Sequence, residues 1–333
     1  MRPLRYARPH DAATAVAMVR DDPAAAFLAG GTTEVDLLRV GVARHDLLVD
    51  INDLPYRDVE DRPDGGLRLG ALARMTDVAR DPRVAERYPA VARSLLLGAS
   101  EQLRNMASMG GNLCQRVRCA YFRDGLSPCN KRDPGSGCAA LDGLNRGHAV
   151  LGTSEHCIAT HPSDVAVSLV AFDAVVHAIG PSGVREIPID EFYLPPGDTP
   201  HVEHPLARGD LIVAIDLPPA PIARRATYLK FRDRQSYEFA LVSVAAALEV
   251  VDGTVADVRI ALGGVGTTPW RARRAEERLA GAPATAASFA DAAAAELGAA
   301  RVREHNAFKV PLARRAIVRA LSGLTGLAGG SAS

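Results

Sequence analysis

The sequence predicts an α+β protein of two domains, and three observations support this prediction. The chain has 333 residues, which exceeds the usual size of a domain with one core. Residues 1–222 mix amphipathic helical patterns with short apolar strand patterns. In residues 223–325, two apolar runs flank Asp252-Gly253, which is a strong hairpin signal, and three helical patterns follow. We therefore expect a sheet backed by helices in the second domain.

The elements of the first domain follow from apolar periodicity and from the glycine-rich turns between the patterns. Helices are predicted at residues 11–20, 33–40, 84–97 and 163–172. Strands are predicted at residues 24–28, 47–51, 67–72, 174–179 and 211–217. Two glycine pairs interrupt this series: Gly30-Gly31 follows the first strand, and Gly110-Gly111 follows residues 101–109.

The second domain opens with a strand-like run at residues 228–232. The predicted hairpin consists of strands at residues 240–251 and 255–262, and helices are predicted at residues 271–279, 287–297 and 311–321. The final residues 326–333, GLAGGSAS, have no apolar face and are predicted to be disordered.

Charge and hydropathy exclude several classes of function. Lys plus Arg and Asp plus Glu both number 39, so the chain has no basic excess for nucleic acid or an anionic membrane. The most apolar stretch, residues 165–179, contains Asp173 and His177 and is shorter than the ~20 apolar residues of a membrane-spanning helix. Residues 1–20 lack the apolar run of a signal peptide. The chain by itself is expected in the cytoplasm, and a periplasmic location requires export in the folded state with a signal-bearing partner.

Two glycine-rich segments indicate places where backbone N–H groups face an anionic ligand. The segment FLAGGTTE, residues 27–34, joins a predicted strand to a predicted helix. Backbone N–H groups at a helix N-terminus bind phosphate, and glycine permits close approach of the ligand. The segment SMGGNL, residues 108–113, has the same character. One such segment alone is more often a turn with a helix cap, whereas two in one domain favour ligand binding.

Six blocks of sequence carry a specific resemblance. LAGGTTEVDLL (28–38), GALARMTDV (70–78), RNMASMGGNL (104–113) and HPSDVAVSLVAFDAVV (161–176) resemble the FAD-binding domain of the molybdopterin dehydrogenase family. YLKFRDRQSYEFALVSVAAAL (228–248) and ALGGVGTTPWRARRAEERLAG (261–281) resemble the family's C-terminal flavoprotein domain. The family includes the flavin domain of xanthine dehydrogenase and the medium subunit of carbon monoxide dehydrogenase. The resemblance implies a two-subdomain, PCMH-type FAD-binding domain at residues 1–222 and a CO dehydrogenase flavoprotein-like domain at residues 223–325.

The resemblance also implies which residues contact FAD. The loop that wraps the pyrophosphate corresponds to Ala26, Phe27, Leu28, Ala29, Gly30, Gly31, Thr32, Thr33 and Glu34. The loop along the flavin and its phosphates corresponds to Ser108, Gly111 and Asn112. Asp164 matches a flavin-contacting aspartate, Lys230 matches a lysine near the isoalloxazine ring, and Ile187 is a further contact. Physical reasoning alone would make Asp164 a helix N-terminal charge and Lys230 a solvated strand residue.

All five cysteines lie in residues 114–157, where periodicity is lost and Pro, Gly, Ser and charged residues are frequent. A long irregular loop that concentrates cysteines is typical of a functional segment. The odd number of cysteines disfavours a disulfide framework. Four thiolates suit either a [4Fe–4S] cluster or zinc, because both prefer soft sulfur ligands. The segment has no C-x₂-C pair, which weakens a zinc ribbon, but zinc bound with His156 or His161 and a redox disulfide are alternatives.

Residues 114–157 depart from the plain family pattern, in which the GGN loop leads almost directly to the HPSD-like block. This insertion resembles the cluster-binding loop of the flavin subunits of periplasmic aldehyde oxidoreductases, and a related insertion occurs in 4-hydroxybenzoyl-CoA reductase. By this likeness the cluster ligands are Cys119, Cys129, Cys138 and Cys157. Cys114 is left over and is expected to behave as a small buried hydrophobe.

The resemblance implies an FAD-binding, [4Fe–4S]-containing electron-transfer subunit of a molybdenum hydroxylase, of the aldehyde oxidoreductase or xanthine dehydrogenase type. Electrons would arrive from [2Fe–2S] clusters of a small partner subunit and leave through FAD to an external acceptor, while a large partner subunit holds the molybdenum cofactor. No catalytic side-chain set is expected, because the cofactors carry the chemistry. One alternative is a structural subunit that is held together by zinc or a cluster and has no redox flavin. Another is a self-sufficient flavin oxidase. The substrate and the acceptor are left open.

Overall fold

The computed structural model describes residues 3–325, whose strands form three sheets. The predicted disordered tail at residues 326–333 lies outside the described residues. The strands are β1 Arg5–Ala7, β2 Ala25–Leu28, β3 Leu47–Asp50, β4 Val59–Asp61, β5 Leu67–Gly70, β6 Val175–Gly180, β7 Gly183–Pro188, β8 Leu211–Leu217, β9 Ala226–Phe231, β10 Val242–Val251, β11 Thr254–Gly263 and β12 Trp270–Arg271. The helices are α1 Ala12–Asp21, α2 Glu34–Arg39, α3 Met75–Arg80, α4 Pro82–Arg87, α5 Pro89–Leu97, α6 Glu101–Arg104, α7 Met109–Leu113, α8 Ala120–Arg123, α9 Asp164–Ala171, α10 Ile189–Phe192, α11 Arg273–Leu279, α12 Ala286–Leu297 and α13 Lys309–Leu324.

A small parallel sheet in the order β1-β3-β2 begins the chain. Helix α1 buries Ala15 and Val19 in the core of this sheet. The Asp11 carboxylate caps α1 by accepting a hydrogen bond from the Thr14 N–H at 2.8 Å. Strand β2 ends at Leu28, so the first glycine-rich segment leaves the carboxyl end of a parallel strand and leads to α2. Open α/β sheets commonly bind ligands at this end of the strands.

Five strands form the second sheet, in the order β4-β5-β8-β6-β7, with antiparallel pairs throughout. The sheet shares its core with α3, α5 and α9. Strands β5, β6 and β8 correspond to the predicted strands at 67–72, 174–179 and 211–217. The edge strands β4 and β7 were not predicted, because their side chains are mostly exposed and carry no apolar pattern.

The prediction of one helix at residues 84–97 is wrong. Two helices, α4 and α5, occupy this region and are separated at Tyr88. Pro89 lacks an N–H, and its ring keeps the preceding residue out of the helical conformation, so Tyr88 has φ −136° and ψ 58°. The apolar pattern continues across the proline and hides the break.

The insertion at residues 114–157 is irregular as predicted, apart from the four-residue helix α8. It has a small core of its own, in which Val117, Phe122, Cys129 and Cys157 pack with Leu37 of α2. The insertion is thus ordered by packing against the first domain rather than by a regular backbone pattern.

The C-terminal domain consists of a four-stranded sheet, in the order β12-β11-β10-β9, and helices α11, α12 and α13. The predicted hairpin is present: β10 pairs with β11, and Asp252 and Gly253 have φ 49° and 76°, as a two-residue primed turn requires. Alternate residues of β10 serve two cores. Val244 belongs to the core shared with the three helices, and Ala245 belongs to the core of the second sheet. The sheet therefore joins the two domains.

None of the helices within residues 3–325 has the length and apolar character needed to cross a membrane.

Candidate functional site

The first glycine-rich segment lies against the residues that lead into the second, Met106 and Ala107. A Cβ atom on Gly30 would lie 2.0 Å from the Met106 carbonyl oxygen, so only glycine allows this backbone approach. Gly31 has φ +70°, which other residues rarely adopt. The second pair lies within α7, where the Gly111 N–H donates to Ser108 Oγ at 3.3 Å. The glycines therefore shape the protein's own backbone as well as leaving room for a ligand.

Two clefts adjoin these loops. The first, the glycine cleft, has a volume of about 550 Å³ and is lined by residues of both loops. The second, the lysine cleft, has a volume of about 620 Å³ and is lined by Asp164 and Lys230, among other residues. Thr32, Thr33 and Gly111 line both clefts. An elongated ligand can therefore extend from one cleft into the other past the loops.

The structure brings most of the predicted site residues to the two clefts. Those that line the glycine cleft are Ala26, Phe27, Ala29, Gly30, Gly31, Thr32, Thr33, Glu34, Ser108 and Gly111. Asn112, Asp164 and Lys230 line the lysine cleft. Leu28 and Ile187 line neither cleft. Ile187 lies on β7, pairs with Val176 and is buried in the core of the second sheet, so the geometry does not bring it to the site.

A buried ion pair forms one wall of the lysine cleft. Lys230 Nζ lies 2.7 Å from Asp164 Oδ2, and the Lys230 side chain is only 1% exposed. Lys230 also donates to the Leu97 carbonyl at 3.1 Å, and Tyr228 Oη donates to Asp164 Oδ1 at 2.7 Å. Burial raises the pKa of Asp164, whereas Lys230 and Tyr228 oppose that rise. Lys230 is thus not a solvated strand residue, while Asp164 also occupies the first turn of α9.

Asn112 connects the second glycine-rich segment to α9. Ser163 Oγ donates to Asn112 Oδ1 at 2.5 Å and caps α9 by accepting from the Ala166 N–H at 3.1 Å. Gln115 Nε2 also donates to Asn112 Oδ1, at 3.1 Å. These bonds hold the Asn112 carboxamide in one orientation at the lysine cleft.

The clefts are also lined by charged side chains that the sequence did not predict. Those at the glycine cleft are Arg44, Arg116 and Asp210, and those at the lysine cleft are Asp36, Arg118, Arg123, Arg234 and Glu238. Arg118 and Arg123 pair with Asp36 at 3.0 and 2.9 Å. No sequence signal marks Arg116, Arg118 and Arg123, because in an irregular loop they have the composition of ordinary solvated surface.

The four cysteines predicted as ligands line one small cavity: Cys119, Cys129, Cys138 and Cys157. All of them are free thiols. Burial raises the pKa of Cys119 to about 12 and that of Cys157 to about 11, so metal binding by either thiol would require the loss of its proton. Four thiols around one cavity have the donor chemistry of a cubane iron–sulfur cluster.

Across residues 3–325, no group of three or more His, Cys, Asp or Glu side chains is arranged to hold a metal ion. No two of the five cysteines are bonded to each other in the described chain.

Cys114 lies outside the cysteine cavity. It lines the glycine cleft and also a smaller neighbouring cavity, which Cys157 lines as well. Burial raises the pKa of Cys114 to about 12. The side chain is half-buried and packs against the core of the second sheet.

Two family models match the chain. Residues 2–220 match the FAD binding domain in molybdopterin dehydrogenase, and residues 226–324 match the CO dehydrogenase flavoprotein C-terminal domain. The chain is 47% identical over 324 residues to the aldehyde oxidoreductase FAD-binding subunit of Escherichia coli (strain K12), with 97% of this chain and 98% of that protein covered. It is 27% identical over 283 residues to a putative xanthine dehydrogenase FAD-binding subunit of the same strain, with 84% and 80% covered.

Solved structures share the fold. A chain of the Cu,Mo-CO dehydrogenase in its cyanide-inactivated form has a TM-score of 0.76 at 21% identity, with 98% of this chain and 100% of that chain covered. A chain of carbon monoxide dehydrogenase from Hydrogenophaga pseudoflava has a TM-score of 0.75 at 23% identity, with 98% of each chain covered. The predicted two-domain α+β fold is confirmed.

Proposed function

The chain belongs to the molybdopterin dehydrogenase FAD-binding family, and we propose that it is the FAD-binding, [4Fe–4S]-containing electron-transfer subunit of a molybdenum hydroxylase. The observation that carries this proposal is the junction of the two clefts at Thr32, Thr33 and Gly111. A dinucleotide can place its phosphates at these loops and one end in each cleft. The 47% identity to the aldehyde oxidoreductase subunit favours an aldehyde-oxidising complex over the xanthine dehydrogenase type.

We assign the two ends of FAD to different clefts. The backbone N–H groups of residues 26–34, with Ser108 and Gly111, would hold the phosphates at the junction. Asn112, Asp164 and Lys230 would contact the flavin ring in the lysine cleft. Because these side chains are already fixed by hydrogen bonds to each other or to neighbours, they need little reorganisation on binding. When bound, FAD accepts electrons one at a time and passes two to an external acceptor.

We also propose that Cys119, Cys129, Cys138 and Cys157 bind one [4Fe–4S] cluster and that Cys114 does not. The support for this ligand set is that the four thiols line one cavity and that Cys114 lies outside it. When bound, the cluster supplies one-electron transfer. Four thiolates saturate a cubane cluster, so a fifth cysteine has no iron left to bind.

Cofactor analysis of the purified chain tests both assignments. We expect about one FAD, released on denaturation, and about four iron and four acid-labile sulfide per chain. Serine in place of any one of the four ligand cysteines should lose or destabilise the cluster, whereas Cys114→Ser, the matched control, should retain it. Zinc instead of iron, or equal iron loss in Cys114→Ser, would overturn the ligand set. Iron without flavin would instead support the structural-subunit alternative.

Assembly is tested separately. The partners that we propose are a large subunit with the molybdenum cofactor and a small subunit with [2Fe–2S] clusters. The chain alone should oxidise neither aldehydes nor xanthine, and activity should appear on coexpression with both partners. Turnover by the isolated chain at a comparable rate would favour the self-sufficient oxidase. Fractionation of cells that contain the assembled complex decides between the cytoplasm and export with a signal-bearing partner.

A further inference from the structure

A histidine approaches one sulfur atom of the cysteine cavity. His148 Nε2 lies 3.2 Å from Cys119 Sγ, within hydrogen-bonding distance of nitrogen and sulfur. His148 is only 7% exposed. Its other ring nitrogen, Nδ1, has no hydrogen-bond partner in the part of the chain that the structure describes. Cys119 Sγ is therefore the hydrogen-bonding partner of the buried ring within the described residues.

The backbone on both sides of His148 is held by the start of the C-terminal helix and the residues before it. Lys309 Nζ donates to the Gly147 carbonyl at 3.0 Å, and Lys309 is fully buried. Asn306 Nδ2 donates to the Ala149 carbonyl at 3.1 Å. These two bonds fix the backbone on either side of His148, so an anchored segment of chain presents the imidazole to Cys119.

We propose that His148 is a positioning residue that donates a hydrogen bond from Nε2–H to Cys119 Sγ and so raises the reduction potential of the iron–sulfur cluster. This inference rests on the proposed function, because it requires Cys119 to be a cluster ligand. A metal-bound thiolate can only accept a hydrogen bond, so the ring must be the donor. Such a bond stabilises the reduced, more negative form more than the oxidised form, and hydrogen bonds to sulfur are known determinants of cluster potentials.

A redox titration of the full chain, followed by EPR spectroscopy, tests the proposal. His148→Phe removes the donor and keeps a planar ring. We expect the one-electron reduction equilibrium of the cluster to become about tenfold less favourable, which is a midpoint potential about 59 mV more negative. Iron and sulfide content should be unchanged. His148→Gln, whose side-chain amide can donate an N–H, should recover part of the shift.

His156→Phe is the matched control, because His156 lines the same cavity but pairs with Asp198 at 3.4 Å. Its cluster potential should equal that of the parent chain, and an equal shift in this control would overturn the proposal. An unchanged potential in His148→Phe with the cluster retained would also overturn it, while leaving the cluster assignment intact. Loss of iron from both His148 variants would also overturn the proposal. It would mean that His148 holds the cluster in place rather than setting its reduction potential. A parent chain without iron and sulfide would instead refute the proposed function itself.

Discussion

The buried pair of Lys230 and Asp164 gives a quantitative prediction for Lys230→Met. In this variant, Tyr228 is the neighbour that still donates a hydrogen bond to the Asp164 carboxylate. Removal of one partner of a buried ion pair costs about 3–5 kcal/mol, because the remaining charge is uncompensated. We expect a loss of this size in the free energy of unfolding near neutral pH, measured by urea denaturation of chain stripped of flavin. FAD affinity, measured separately, should also fall.

The loss of stability should depend on pH. Burial already raises the pKa of Asp164, and Lys230 opposes that rise, so the pKa should increase further when Lys230 is removed. A carboxyl whose pKa is higher in the folded than in the unfolded state favours folding when it is protonated. The loss of folding stability caused by this carboxyl is absent below the unfolded-state pKa of about 4. It grows as the pH rises from there to the folded-state pKa. The loss should therefore be small at about pH 4 and larger near pH 7, and an equal loss at both pH values would refute this reasoning.

Two further variants complete the experiment. Arg278 and Asp291 form an ion pair with a similar distance of 2.6 Å, but their side chains are 62% and 57% exposed. Arg278→Met should therefore cost less than about 1 kcal/mol. The double variant of Lys230→Met with Asp164→Asn removes both charges and should recover much of the lost stability. If Lys230→Met lowers the free energy of unfolding no more than Arg278→Met does, burial does not strengthen the ion pair of Lys230 and Asp164.

Two other parts of the molecule give further predictions. Gly30→Ala places its Cβ against the Met106 carbonyl, so it should lower the melting temperature. It should also strip FAD while iron is retained, and normal FAD content would contradict the assignment of the loop. Its control is Gly323→Ala in α13, where the Cβ meets no atom within 4 Å and helix propensity should stabilise the chain by up to about 1 kcal/mol. Lys309→Met removes the Lys309 donor from the buried Gly264 carbonyl and from the Gly147 carbonyl, so it should cost about 1–3 kcal/mol, with faster proteolysis within residues 114–157. Unchanged cleavage rates there would show that Lys309 does not anchor the insertion.

The sequence predicted those elements whose local pattern and tertiary role agree. The hairpin of β10 and β11 combines long apolar runs with Asp252-Gly253, and α9 is almost continuously apolar and fully within the core. The break at Tyr88 was missed because the apolar pattern on either side outweighed the single proline. Edge strands such as β4 and β7 were missed because exposed strands have no periodic signal.

The candidate site likewise contains residues that the sequence predicts and residues that it does not. Gly30 and Gly31 were predictable, because their backbone requirements admit few other residues. The burial of Lys230 was not, because it depends on which face of β9 packs against the helices of the first domain. Ile187 was assigned by resemblance alone, and β7 turns it into the core. Arg116 reaches the glycine cleft only through the path of an irregular insertion, which the sequence does not specify.

The insertion also links the two proposed cofactor sites, which predicts that iron loss weakens flavin binding. It starts at Cys114, which lines the glycine cleft, and Arg116 lines the same cleft. Arg116 pairs with Glu203, which also accepts a hydrogen bond from Lys131 Nζ at 2.9 Å. If the cluster is lost, the segment that positions these side chains loses its central support. The dissociation constant for FAD, measured by fluorescence titration, should therefore rise in the variants that lose iron, whereas Cys114→Ser should keep both cofactors. Unchanged FAD affinity in an iron-free variant would mean that the insertion holds the two sites independently.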